Sequence, residues 1–274
     1  MILGYNTNGL AHHRLDEAIE LLAEKGYGAV ALTLDCCHLD PARATAREIQ
    51  AVRNQLSDHG MRCVIETGGR YVLDPARKHR PNLLEDRSAD RRVRLDWYRR
   101  AMEIGVELGA CAFSFWSGTR PEEVSPEGAR ERLLEGLAEL CESSREFGLP
   151  LAFEPEPGMW IETVDQALEF FSELGEPEQF GLTVDVGHLY VTGEGLPADV
   201  LPGVVSLLRQ VHVEDIRAGI HEHLPPGEGD VDFPALWRVL DEIGFEGPVC
   251  WELSRSSHAA IEMLDRARAC FVAR

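Results

Sequence analysis

Gly181-Leu-Thr-Val-Asp185-Val-Gly-His188 is an apolar run that stops at a carboxylate and sets an imidazole three residues later. Short apolar runs bounded by turn residues read as buried strands. Three further runs end the same way: Pro150-Leu-Ala-Phe-Glu154, Gln210-Val-His212-Val-Glu214 and Pro248-Val-Cys-Trp-Glu252. Four buried strands therefore each carry a side chain of metal-ligand type to one end.

Outward from these runs the chain alternates strand and helix. Ile2 to Tyr5 reads as a strand. A helix follows through Leu15, Ala18, Ile19 and Leu22, with Asp16 and Glu17 at its positive end and Gly26 at its stop. Ala29 to Leu34 is the second strand. Asp40-Pro41 predicts an N-cap and first-turn proline for a helix through Ile49, Val52 and Leu56 that stops at Gly60. Arg62 to Glu66 is the third strand, and the loop from there to about Ser88 is longer than an ordinary βα connection, as a lid or binding loop would be. A helix through Val93, Trp97, Ala101, Ile104 and Leu108 precedes the fourth strand, Ala110 to Trp116. Helices are then expected over 125–147, 163–174, 196–208 (weakened by Pro197 and Pro202), from Asp232 through Ile243, and through Ile261 to Phe271.

Eight strand-then-helix units without a Pro/Gly/Ser linker predict an α/β chain folded as a single (β/α)8 TIM barrel, one domain over 1–274. No G-x-G-x-x-G follows the first strand, which opposes a dinucleotide-binding open sheet. Gly227-Glu-Gly229 reads as a turn device.

At 274 residues and 44% hydrophobic side chains the chain can fill such a core. The formal charge of −20 opposes nucleic acid and anionic membrane surfaces as partners. No basic leader opens the sequence, no 18-residue apolar run occurs in it, and its seven cysteines form no C-x-x-C pair. The expected location is therefore a reducing cytoplasm. Cys36-Cys37 reads as a pair of bystander thiols. Residues 70–100 hold ten Lys or Arg against five Asp or Glu, a local +5 in a chain whose remainder is −25. That stretch is either a solvated helix face, or a subunit contact in a homo-oligomer, or a contact for an anionic substrate group.

In a barrel the C-terminal strand ends open on one face, so Glu154, Asp185, His212 and Glu252 are expected to converge. Each alone has an ordinary explanation: Asp185 as a helix cap, His212 as a satisfied core histidine, the glutamates as salt-bridge partners. Together, three carboxylates in a low-dielectric mouth repel, and a divalent cation resolves the cost. Oxygen-rich coordination with one imidazole suits Mn²⁺ first, with Mg²⁺, Co²⁺ or Zn²⁺ admitted and a closed structural zinc site opposed.

Phe153-Glu154-Pro-Glu-Pro-Gly-Met, Val184-Asp185-Val-Gly-His188, Val211-His212-Val-Glu-Asp215-Ile-Arg217 and Pro226-Gly-Glu-Gly-Asp-Val-Asp232-Phe resemble the xylose isomerase-like TIM-barrel superfamily. Within it the chain is similar to the sugar phosphate isomerase/epimerase branch that includes ketose 3-epimerases. The resemblance implies that Glu154, Asp185, His212 and Glu252 bind the metal and that Glu154 and Glu252 also act as the acid/base pair. It implies that His188 and Arg217 hold substrate oxygens, and that Glu162 matches a further substrate-contacting glutamate. Glu66 and the basic loop 70–94 depart from the sugar epimerases. With Trp116 and His223, Glu66 completes the set expected to face the substrate, and His221-Glu-His223 is read as substrate-facing or solvent-exposed rather than as a second metal site. The implied activity is metal-dependent epimerisation or isomerisation of a sugar, sugar phosphate or cyclitol, by proton abstraction beside a carbonyl through a metal-stabilised enediolate. Three alternatives stand beside it: an inosose-dehydratase-like lyase, an endonuclease IV-like AP endonuclease encouraged by His188 and His221-x-His223 but opposed by the net charge, and a non-catalytic metabolite-binding barrel.

Overall fold

A computed structural model describes residues 1–274. Eight parallel strands close into a barrel: β1 (Ile2–Asn6), β2 (Ala29–Thr33), β3 (Arg62–Glu66), β4 (Ala112–Phe115), β5 (Leu151–Phe153), β6 (Leu182–Asp185), β7 (Leu208–Val213) and β10 (Pro248–Trp251). Closure comes from β1, which pairs with β2 on one side and with β10 on the other, Tyr5 lying opposite Trp251. The predicted barrel is thus the observed one. Between β7 and β10 the chain also forms a two-stranded antiparallel hairpin, β8 (Asp215–Arg217) with β9 (Ile220–Leu224), where the sequence suggests a loop.

Helices α1 (Leu15–Glu24), α2 (Ala46–Asp58), α3 (Ser88–Leu108), α4 (Pro126–Phe147), α5 (Val164–Glu173), α7 (Pro197–Val204), α8 (Phe233–Glu242) and α9 (Ala260–Val272) connect successive barrel strands or close the chain, and α6 (Val186–Thr192) is a short helix starting directly at Asp185. Their apolar stripes bury against the strands, as period-3.6 patterns require. Side chains such as Ile19, Leu22, Tyr98, Leu133, Leu140, Leu240 and Leu264 are at most 1% exposed and join one apolar cluster that runs around the barrel.

Three boundaries differ from expectation. Asp40-Pro41 does not open α2: Asp40 accepts from the Ala42 amide at 2.9 Å and closes only a turn. The helix begins at Ala46, where Thr45 Oγ1 accepts from the Glu48 amide (3.3 Å) and the Glu48 carboxylate accepts from the Thr45 amide (2.8 Å). That reciprocal box satisfies two orphan donors, where Asp40 would satisfy one. β4 starts at Ala112 because the Ala110 amide donates back to Gly105 O at 2.9 Å and belongs to the end of α3. α7 stops at Val204, short of the expected Leu208, two residues after the internal Pro202.

Strand alternation decides what lines the barrel. Small side chains such as Val64, Ala112 and Ala152 pack together as a cluster apart from the main core. Nearer the C-terminal mouth there is a polar layer: Asn6 accepts from Thr33 (2.7 Å), Ser114 and Thr183 share a hydrogen bond (3.0 Å), and Gln210 Nε2 donates to Thr183 (3.1 Å) and to Glu66. This layer is the floor of the site.

Candidate metal centre

β6 and β7 run in register so that Asp185 lies beside His212, and Cys250 on β10 lies on the other side of His212. Glu154 and Glu252 are the first residues past β5 and β10, and each is still tied to its neighbour strand, the Glu154 amide donating to Phe115 O (2.8 Å) and the Glu252 amide to Val213 O (3.0 Å). One metal-ligating atom from each of Glu154, Asp185, His212 and Glu252 comes within 4.8 Å of all the others. The expected convergence is observed.

His212, 1% exposed, organises the group. Its Nδ1 lies 2.9 Å from Glu154 Oε1 and 3.0 Å from Glu252 Oε2, and its Nε2 lies 3.1 Å from Glu66 Oε1. Glu66 is therefore a partner of the imidazole on the side of the polar floor, braced by Gln210. A carboxylate that takes the far nitrogen of a histidine fixes its tautomer and leaves Nδ1 as the ligating atom. Asn8 Nδ2 donates to Glu252 Oε1 at 2.8 Å and orients that carboxylate in the same way.

Asp185 is a helix cap and keeps its second oxygen free. Its Oδ1 accepts from the amides of Gly187 (2.6 Å) and His188 (3.3 Å) and caps α6, while Oδ2, also buried, has no hydrogen-bond donor. A buried carboxylate oxygen without a donor is costly. Together with two further carboxylates and an imidazole it fits a divalent cation. Burial pushes the Glu154 carboxyl up to about 8, against the opposing pull of His212. Burial likewise pushes Glu252 upward, but the hydrogen bond and charge of His212 outweigh it and hold that carboxyl below its ordinary range. Asp185 is raised by burial, and Glu156 well above the usual carboxylate range by burial and then by Glu154.

His188 faces the same space. Its Nδ1 lies 3.0 Å from Pro155 O, its Nε2 has no hydrogen-bond partner and sits 3.8 Å from Glu156, and burial lowers its pKa to about 3. A neutral ring that donates from Nδ1 offers Nε2 as an acceptor. Two other expected contacts, Arg217 and Glu162, are not gathered here. Arg217 is exposed and donates to the Glu228 carbonyl, and Glu162 is exposed and accepts from the Gly158 amide at 2.7 Å. Trp116 is buried beneath the long β3–α3 loop, edge-on to His79 at 5.0 Å. His223 lies against the buried Glu214.

The basic stretch resolves into two parts. Arg92 and Arg99 pair with Glu139 and Glu146 on α4, Arg77 with Asp74 and Arg80 with Glu85, which is the solvated-face reading. Arg70 and Lys78 make no ion pair. Burial, then the charge of Arg70, lower the Lys78 pKa, with Glu156 opposing and Arg255 adding to the effect. Arg255 is held against the β8–β9 hairpin, donating to the His221 carbonyl at 2.9 Å.

Asp215, Gln210, Asn8 and Glu156 were not singled out from sequence. Gln210 could have been, since it lies two residues before His212 on the same strand face. Asp215, 1% exposed, accepts from the amides of Ile216 (3.0 Å), Gly227 (2.9 Å), Gly229 (2.8 Å) and Val231 (3.1 Å). Gly227-Glu-Gly229 is thus a turn device, as read: its amides cradle a carboxylate of this chain, and a β-carbon at Gly229 would lie 2.6 Å from Ile216 C.

A barrel with a mixed carboxylate–imidazole centre at the C-terminal strand ends defines a class, and the sequence comparisons give its family. The family model described as xylose isomerase-like TIM barrel matches residues 19–270, and the chain belongs to that family. An inosose dehydratase of Lacticaseibacillus casei is 25% identical over 134 residues, 43% of this chain and 44% of that protein. The L-ribulose-5-phosphate 3-epimerase UlaE of Shigella flexneri serotype 5b is 27% identical over 192 residues, 69% of this chain and 66% of that protein. The chain thus spans less than two-thirds of the length of these relatives. The solved structure of the IOLI protein with a bound zinc atom superposes with a TM-score of 0.78 at 19% identity, over 99% of this chain and 97% of that one. No helix of the protein is long and apolar enough to cross a membrane.

Proposed function

We propose that the protein is a divalent-metal-dependent epimerase or isomerase of a ketose, with Glu154, Asp185, His212 and Glu252 holding the cation. The observation that carries this reading is their convergence, with the buried Asp185 Oδ2 left free of any donor. A cation bound there, Mn²⁺ in the first instance, supplies Lewis acidity to a carbonyl and its neighbouring hydroxyl. The chain's own residues do the rest. Glu154 and Glu252, arriving from separate strands, take a proton from the carbon beside the carbonyl and return one to the enediolate. His188 accepts from a substrate hydroxyl through Nε2. Glu66 and Asn8 keep His212 and Glu252 in place. Arg70, Lys78 and Arg255 suit a phosphate on the substrate, and the family relationship to a ketose-phosphate epimerase favours the same substrate class.

The test is a panel of ketoses and ketose phosphates in D2O, with the enzyme loaded and stripped. Solvent deuterium is expected at the inverted carbon, lost on chelation and lost in His212→Ala. Turnover that survives both would overturn the reading. The relationship to an inosose dehydratase supports a second reading, elimination of water from a cyclic polyol at the same site. An unsaturated product would assign it.

A further inference from the structure

Cys36 and Cys37 are adjacent in the turn that follows β2, at the mouth end of the barrel, and both are exposed. The proposed reaction makes no use of them. The turn that carries them is held from inside. Asp35 Oδ1 accepts from the amides of Cys37 (2.8 Å) and His38 (2.9 Å), and the Asp35 amide donates to His38 O (3.2 Å). His38 is buried, with Nε2 3.0 Å from His13 O, which ties the turn to the loop after β1. On the other side it packs on the start of the β3–α3 loop: a β-carbon on Gly69 would lie 2.9 Å from Leu34 O and 3.4 Å from Asp35 Cβ. The two thiols are therefore presented outward from a fixed backbone, with their sulfurs 4.0 Å apart.

That arrangement selects among the reactions open to a thiol pair. Adjacent Cα atoms lie about 3.8 Å apart across a trans peptide, short of the roughly 4.4–6.8 Å usual for a disulfide, so a direct bond of about 2.05 Å between the two sulfurs would be strained. One atom placed between the sulfurs relieves that strain. Bonded to each at about 2.3 Å, a length typical of thiolate bonds to zinc, and at a near-tetrahedral angle, it spans about 3.8 Å. The sulfurs already stand close to that separation. Desolvation, then the charges of Asp35 and Cys36, push the Cys37 thiol up to about 11. Oxidants that act on the thiolate find little of it here. A trivalent arsenical takes two thiols with their protons, because its oxygen leaves as water.

We propose that Cys36 and Cys37 form a dithiol site for trivalent arsenicals, bridged by one arsenic atom at the rim of the barrel mouth. With an aryl arsenoxide, R–As=O, both S–H bonds break and two As–S bonds form. The arsenoxide oxygen leaves as water with the two protons, and arsenic stays trivalent throughout. Of the five other cysteines, Cys63, Cys141 and Cys250 are buried, Cys111 and Cys270 are half-buried, and none adjoins another in sequence. The assignment revises the reading of Cys36-Cys37 as bystander thiols. It stands without the epimerase reading, because it is read by mass and not by turnover.

The test uses the reduced full chain and equimolar phenylarsine oxide, followed by desalting in excess glutathione and intact mass spectrometry. Wild type is expected to hold one phenylarsenic bridge per chain, to keep it against the monothiol, and to release it to the dithiol 2,3-dimercaptopropanol. Tryptic digestion without alkylation should place the bridge on the peptide 26–43, which contains Cys36 and Cys37 and no other cysteine. Cys36→Ser and Cys37→Ser, both on an exposed turn, are each expected to lose the retained bridge. Circular dichroism identifies a variant that fails to fold, and for such a variant the peptide map of wild type decides. No retained adduct on wild type, retention by either folded variant, or a bridge on any peptide other than 26–43 overturns the site.

Discussion

Replacing His212 by alanine in metal-free protein tests whether the imidazole is what makes three buried carboxylates tolerable. Its two nitrogens lie within 3.1 Å of Glu154, Glu252 and Glu66, and the carboxylates of Glu154 and Glu66 raise the His212 pKa well above its ordinary value in spite of burial. Removing one partner of such a buried set costs about 3–5 kcal/mol, because the other charges lose their compensation. At an unfolding entropy of about 2.1 cal/mol/K per residue, 274 residues give about 0.58 kcal/mol/K, so the melting temperature should fall by about 5–9 °C. The carboxylates of the variant can escape by taking protons, so the loss should be largest near pH 8 and shrink toward pH 5. The assay is thermal denaturation followed by circular dichroism in chelator at both pH values. Mn²⁺ should recover part of the loss at pH 8, since a cation can replace the imidazolium. A variant that melts within about 2 °C of wild type at pH 8, or a loss that grows on acidification, refutes the reasoning.

Asp215→Asn replaces an acceptor of four amides with a group that donates at one end, and should cost about 2–4 kcal/mol, with hydrogen exchange accelerating at Gly227, Gly229 and Val231. Arg94, fully buried, donates to Pro81 O (2.8 Å) and His79 O (3.0 Å) and stacks on Trp97, Tyr98 and Trp116; Arg94→Met should cost about 2–3 kcal/mol and raise the rate of tryptic cleavage after Arg77 and Lys78, and an unchanged cleavage rate would show that it does not pin the loop. Burial, followed by the charges of Lys78 and Arg94, lowers His79 from 6.5 to about 3. The unfolded chain therefore binds the proton first, and this contribution is complete above about pH 6.5 and lost as the pH falls toward 3. The loss by pH 5 is about 2 kcal/mol at 1.36 kcal/mol per unit, and His79→Gln should flatten the slope of stability against pH in that interval.

The sequence by itself determined the barrel and the meeting of four side chains of ligand type at its mouth. Each of β5, β6, β7 and β10 is a short, largely apolar run with a carboxylate or imidazole at or near its end, and an alternating β/α chain has few topologies other than a closed barrel that bury such strands on both faces. Once the barrel is accepted, Glu154, Asp185, His212 and Glu252 must meet, because parallel strands place their C-terminal ends on one rim. What tertiary structure decided is the partnership of residues remote in sequence. Glu66 serves His212 across 146 positions, and Asn8 reaches Glu252 across 244. Such pairings depend on strand register and rotamer, neither of which leaves a local signal. Arg217 and Glu162 fit a motif by spacing, yet their side chains are held by the Glu228 carbonyl and the Gly158 amide, hydrogen bonds that spacing cannot reveal. His221 and His223 look like loop histidines in one dimension. The hairpin that folds them over Glu214, in the space left by Gly187, exists only in three.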